Sequence, residues 1–167
     1  MAPGMIMPDG STMGAAGAPT VTRTAPAEPS ASALMICAAE VRADLNTVLA
    51  IKQTPAGTAT FADHLYTCRY TLPMGTLILS VKESPDATST AAYFKTLRNQ
   101  LGNPEDLAGL GEAAYGTNDG TVVLRKDNDV LRVDATRMPA VFGSQHAKRN
   151  DFAYEIASDI LGCWTGD

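Results

Sequence analysis

Methionines are concentrated at the start of the chain, where four of its seven lie within thirteen residues: Met1, Met5, Met7 and Met13. The thioether sulfur is a soft ligand that favours Cu(I) over harder divalent ions. A flexible arm that carries several such sulfurs can surround one Cu(I) ion without a folded site. We therefore take these four residues as candidate metal ligands and Cu(I) as the candidate cofactor. The alternative is that they are neutral drift in a low-complexity segment.

The three cysteines are Cys37, Cys68 and Cys163. Each falls on the apolar side of a predicted helix or strand, and buried free cysteine is common, so three inert thiols are one interpretation. In an exported chain, one disulfide with one cysteine left over is the other. Three pairings are possible. We favour Cys37–Cys68, which would tie the first helix to the neighbouring strand and leave Cys163 as the free thiol. The wide spacing, with no CxxC, argues against a zinc site.

No set of residues forms a catalytic signature. His64 follows Asp63 at the start of a predicted strand, but adjacent strand residues point to opposite faces and need not meet. His146 lies in a polar stretch typical of a solvated helix start. The sequence has neither a nucleophile elbow nor a glycine-rich phosphate loop. We predict that the protein is not an enzyme.

The charge pattern excludes one class of partner. The formal net charge is −5, and the basic residues are scattered, whereas nucleic-acid binding needs a basic face that neutralises phosphates. No apolar stretch approaches the roughly 18 residues of a transmembrane helix. The partners we expect are a copper ion or a cell-envelope protein, with no nucleic acid.

The chain divides into a tether, residues 1–33, and a single domain, residues 34–167. The tether holds half of the prolines and few charges, so it cannot bury enough apolar surface to offset its chain entropy. Its start, Met-Ala-Pro-Gly-Met, lacks the charged and apolar regions of a signal peptide. The tether and the cysteines together favour an exported protein whose export signal lies upstream of residue 1.

Apolar periodicity within residues 34–167 predicts helices and antiparallel strands. The predicted elements are a helix from about Leu34, strands 65–72 and 76–82, a helix opening at Ser84-Pro85-Asp86, a short helical turn at 103–106, strands 121–126 and 130–136 with another at 113–117, and a helix from about Ala147. The order α-β-β-α-β-β-α predicts an α+β fold: a two-layer sandwich whose antiparallel sheet of four to five strands carries all helices on one face. Aromatic residues near this layer raise the alternative of an apolar pocket for a small hydrophobic or lipid ligand.

Five segments of the chain resemble segments of a known class of proteins: MICAAEVR, HLYTCRYTLPMGTLILSVKESPD, AAYFKTLR, GLGEAAYGTNDGTVVLRKDNDVLRVDATRMP and the closing ILGCW. Over about residues 35–165 the sequence resembles small exported lipoproteins of uncharacterised function from high-GC Gram-positive bacteria. The resemblance implies a lipid-anchored precursor, with the modified cysteine upstream of residue 1, at the outer face of the cytoplasmic membrane. It implies no catalysis. Tethers of similar proteins often carry His and Met clusters, and this one departs from them in having no histidine.

The function that we expect is that of an extracytoplasmic tethered binding protein, which captures Cu(I) through the N-terminal methionines. The alternatives are a structural or protein-partner module and a carrier of a small hydrophobic ligand between helices and sheet.

Overall fold

The computed structural model describes residues 27–142 and 147–165. The candidate copper ligands Met1, Met5, Met7 and Met13, and also His146, lie outside these residues. The helices are α1 (Ala31–Leu34), α2 (Ala39–Leu49), α3 (Ala87–Gln100) and α4 (Arg149–Thr165), and a 3-10 turn spans Met35–Cys37. The strands are β1 (Thr58–Ala62), β2 (Leu65–Leu72), β3 (Gly75–Glu83), β4 (Glu105–Asp106), β5 (Ala113–Gly116), β6 (Thr121–Lys126), β7 (Asp129–Arg137), β8 (Val141–Phe142) and β9 (Ala147–Lys148). Within this part of the chain, no helix is long and apolar enough to cross a membrane.

Seven of the strands form one antiparallel sheet in the order β1-β2-β3-β7-β6-β5-β4, and β8 pairs with β9. The α+β class is confirmed, but the predicted sheet of four to five strands is too small. The prediction missed β1 because its exposed residues show no apolar alternation. It also assigned residues 103–106 to a helical turn, whereas Glu105 and Asp106 pair with β5 as a strand.

One face of the sheet carries the main core. On β2 and β3 the inward residues alternate as predicted, and they meet the apolar stripes of α2 and α4. The buried apolar members from these four elements are Tyr66, Cys68, Tyr70, Leu72, Leu77, Leu79, Val81, Val41, Leu45, Leu49, Phe152, Ala153, Ile156, Ala157, Ile160 and Trp164. The predicted inward stripe of the first helix does not include Leu34, which is 47% exposed, because the chain breaks at Ala38 between the 3-10 turn and α2.

Helix α3 packs on the opposite face, so the prediction that all helices share one face is wrong. Neighbouring residues of β6 divide between the two sides: Val122 and Leu124 belong to the main core, whereas Val123 contacts a second cluster with Leu97 of α3. The sheet is therefore covered on both sides where β6 and β7 lie. Helix α3 begins after Asp86, whose carboxylate accepts a hydrogen bond from the Ser89 amide at 2.7 Å.

The first described residues are tied to the domain by two long-range hydrogen bonds. The Ser30 amide donates to Oε1 of Glu83 at 3.2 Å, and the Trp164 indole donates to the Ser32 carbonyl at 3.0 Å. Ser30 caps α1 and Ser32 lies within it, and Ala33 of the same helix is fully buried. The chain segment that follows the N-terminal arm is thus fixed against both the sheet and α4.

Tyr70 fixes the 3-10 turn to the sheet, because its buried hydroxyl donates to the Ile36 carbonyl at 2.7 Å. Burial raises the pKa of Tyr70 from 10.0 to about 12. In the unfolded chain the phenol ionises at its ordinary pKa, so this group stabilises the fold below pH 10 and loses that effect as the pH rises through 12.

We therefore expect Tyr70→Phe to unfold more easily than the wild type at pH 8, by about 1 to 2 kcal/mol. That advantage of the wild type should shrink by on the order of 2 kcal/mol between pH 10 and 12. Urea unfolding of both proteins across this range measures it. A pH-independent difference would contradict the assignment.

Candidate functional site

The structure contains a disulfide between Cys37 and Cys68, as favoured from the sequence. It joins the 3-10 turn to the second strand of the sheet, and the two Cα atoms lie 5.5 Å apart, within the usual range for a disulfide. Cys68 is fully buried. The bond therefore holds the helical segment that follows the arm directly against the core face of the sheet.

Gly57 covers this disulfide. A Cβ atom placed at Gly57 would lie 2.2 Å from Sγ of Cys68 and 2.9 Å from Sγ of Cys37, closer than atoms can approach. The ring of Tyr70 would be 3.1 Å away. Glycine is thus required here by space rather than by a left-handed backbone.

Cys163 is a free and exposed thiol, so its predicted place on the buried stripe of the last helix is wrong. The next residue, Trp164, is the one that is buried. Desolvation raises the pKa of the Cys163 thiol, and the nearby carboxylates of Asp44, Glu40 and Asp159 raise it further. Because the thiolate is the nucleophilic form, this environment suppresses reactivity.

His64 lies in the turn that precedes β2. His64 and Asp63 form the two-residue turn between β1 and β2, both with positive φ, and the imidazole lies edge-on to Phe61 at 6.2 Å between ring centroids. His146 is outside the described residues. Within residues 27–142 and 147–165, no group of three or more His, Cys, Asp or Glu side chains is arranged to hold a metal ion.

A cleft of about 130 Å³ lies where the start of α4 meets the turn between β5 and β6. Its apolar surface comes from Leu107, Val122 and Tyr154. Tyr154 is held in place because its hydroxyl donates to the Ala108 carbonyl at 2.8 Å. The polar residues that line the cleft are Glu105, Thr117, Asn118, Asn150 and Asp151.

The turn that presents Asn118 is internally bonded. The Thr117 amide donates to the Thr121 carbonyl at 2.9 Å, and the Thr121 amide donates to the Thr117 hydroxyl at 3.2 Å. The Thr117 hydroxyl in turn donates to Asp119. The backbone on either side of Asn118 is therefore fixed.

Arg149 attaches the start of α4 to this turn. Its guanidinium donates to the carbonyls of Met138 at 2.9 Å and Thr136 at 3.3 Å. Its side chain also runs against Gly120, where a Cβ would lie 2.6 Å from Cγ of Arg149. The contacts of Arg149 thus fix the distance between the start of α4 and the turn, which lie on either side of the cleft.

The comparisons give no relative. No protein-family model, curated protein or solved structure matches the chain. The site therefore has to be interpreted from its own geometry.

Two carboxamides in the cleft, those of Asn118 and Asn150, make no hydrogen bond with any described residue. Neither residue could be found from the sequence, because the cleft is formed by three segments that are far apart along the chain. The only signal in the sequence is the high density of Asn and Asp around residues 117–120 and 150–151. In the sequence this density is indistinguishable from ordinary turn and helix-start chemistry.

Proposed function

We propose that the protein is an extracytoplasmic binding protein, in which a methionine-bearing arm is carried by a disulfide-stapled domain. The buried Cys37–Cys68 bond is the observation that supports this most directly. Disulfides persist in oxidising compartments and are rare in the reducing cytosol. The resemblance to exported lipoproteins supports the same location, at the outer face of the cytoplasmic membrane.

Copper capture is the mechanism that we assign to the arm. Met1, Met5, Met7 and Met13 offer four thioethers within thirteen residues, and neutral sulfur ligands suit Cu(I). The domain supplies a fixed point behind the arm, through Ser30 and the disulfide. In this proposal the arm collects the ion, and the domain holds the C-terminal end of the arm in a fixed position.

We expect Met5→Leu/Met7→Leu/Met13→Leu to weaken Cu(I) binding at least tenfold, which is about 1.4 kcal/mol. Leucine keeps the size and apolar character of each side chain but removes the sulfur. The measurement is a titration of the full chain with Cu(I) against a coloured chelator of known affinity. It is carried out in a Cys163→Ala background, because the exposed thiol is itself a Cu(I) ligand.

The matched control is Met35→Leu/Met74→Leu, which removes two thioethers that pack against the core. This variant should bind Cu(I) as the parent does. Equal affinity of the arm variant and the parent would contradict copper capture, and so would an equal loss in the control.

A protein-partner module is the second candidate, and the edge strand β1 favours it. Among the described residues, β1 pairs only with β2 and its residues are mostly exposed. An exposed edge can accept a strand from another chain. Removing the arm sulfurs would leave such an interaction intact, which separates the two candidates. The cleft beside α4 does not favour a hydrophobic ligand, because polar residues line its rim.

A further inference from the structure

The cleft beside α4 has the dimensions of a site for one six-membered ring. Its volume of about 130 Å³ is close to that of cavities of roughly 150 Å³ that accept benzene. Its lining includes the apolar side chains of Leu107 and Val122 and the aromatic side chain of Tyr154. The apolar C–H surface of a pyranose ring suits such a lining, whereas a fully hydrated ion would gain nothing from it.

The rim suits hydroxyl groups. Each carboxamide of Asn118 and Asn150 offers two donors and an acceptor, and neither is used within the described residues. A sugar hydroxyl is also both donor and acceptor, so it can engage both ends of an amide. An ammonium group has donors only, so it can engage the amide oxygens but not the amide N–H groups.

The charges of the rim disfavour an anionic ligand. Among the described residues that line the cleft are two carboxylates, Glu105 and Asp151, and no Lys, Arg or His. An anionic ligand would be repelled and would find no cation to pair with. The carboxylates can accept hydrogen bonds from hydroxyls that the amides do not reach.

A second, more open hollow lies next to the first. It has a volume of about 330 Å³, and Thr117 and Asn118 line both. Its other lining residues are Gly102, Asn103 and Asp119, which again are small or polar and include no cation. The polar rim therefore extends far enough for a second ring.

We propose that this cleft is a binding site for a neutral saccharide, with one ring on the Leu107, Val122 and Tyr154 surface and the next ring in the adjoining hollow. None of the candidate copper ligands is among the described residues that line it, so the proposal does not depend on copper binding. Because the turn at 117–121 and the start of α4 are already fixed, binding requires little ordering of the protein.

The test is a set of ¹⁵N–¹H spectra of the full chain, titrated with glucose, galactose, mannose, N-acetylglucosamine and disaccharides of each. We expect at least one sugar to shift the amide signals of residues 116–118, 150 and 151, with a Kd of about 1 mM or lower, and its disaccharide to bind more tightly. Glucuronate and spermidine, which probe anions and organic cations, should shift these signals much less.

Asn118→Ala and Asn150→Ala should each weaken the sugar at least tenfold while leaving the rest of the spectrum intact. Asn99→Ala, an exposed amide on α3, is the matched control and should bind as the wild type does. Three results would overturn the proposal: no shift with any sugar, shifts outside the cleft only, or stronger binding of spermidine or glucuronate than of every sugar. Repeating the titration with Met5→Leu/Met7→Leu/Met13→Leu should change nothing, so the site and the copper arm can fail independently.

Discussion

Loss of the Cys37–Cys68 disulfide is expected to lower the free energy of unfolding by about 3 to 4 kcal/mol. The two cysteines are 31 residues apart in sequence, and closing a loop of that length removes this much chain entropy from the unfolded state. The bond also fixes the 3-10 turn, which carries the carbonyl that accepts the hydrogen bond of Tyr70. Urea unfolding of Cys37→Ala/Cys68→Ala against the wild type measures the difference.

Cys163→Ala is the control, because it removes an exposed thiol that is joined to nothing and should change stability by less than about 0.5 kcal/mol. A thiol count on the unreduced, denatured wild type should give one. A count of three, or a double variant as stable as the wild type, would remove the support for an oxidising compartment as well.

The parts of the fold that follow a simple period could be predicted. The alternation along Leu65–Leu72 and Gly75–Glu83 predicts a hairpin with one buried side, and the structure has it. The stripe Phe152, Ile156 and Ile160 predicts the buried side of the last helix. In that helix the stripe continues to Trp164 at four-residue spacing, so Cys163 lies beside it and is exposed.

The side on which α3 packs could not be predicted from its own residues. An apolar stripe shows that a helix packs against something, and it does not show which face of a sheet it covers. The sequence signal lies in the strand β6: Val122, Val123 and Leu124 form an unbroken apolar run, without the alternation of a strand that has one solvated face. Such a run indicates cover on both sides, and all three residues are buried.

The cleft lay beyond sequence reasoning for a different reason. Residues 105–107, 116–118 and 150–154 approach one another only because β5 pairs between β4 and β6 and because α4 packs against β6 and β7. Each segment alone is an ordinary turn or helix start. The contact between them depends on strand order, and the prediction had this order wrong.

Gly57→Ala is expected to destabilise the protein by about 3 kcal/mol, although it adds a single methyl group. The added carbon would overlap the buried Cys68 sulfur, so either the disulfide or the chain around residue 57 must move. Gly102→Ala is the matched control, since a Cβ at Gly102 meets nothing within 4 Å. That substitution should be neutral or slightly stabilising, because alanine lowers the entropy of the unfolded chain.

The same substitution should lose most of its cost when the disulfide is absent. In Cys37→Ala/Cys68→Ala both sulfur atoms are gone, and the nearest atom that remains belongs to the Tyr70 ring, 3.1 Å from the added carbon. We therefore expect Gly57→Ala to cost about 1 kcal/mol or less in that background, a coupling of at least roughly 2 kcal/mol. A double-mutant cycle by urea unfolding measures the coupling. Additive effects would mean that the backbone conformation at residue 57 requires glycine. Coupled effects would mean that glycine is required because the disulfide occupies the space beside it.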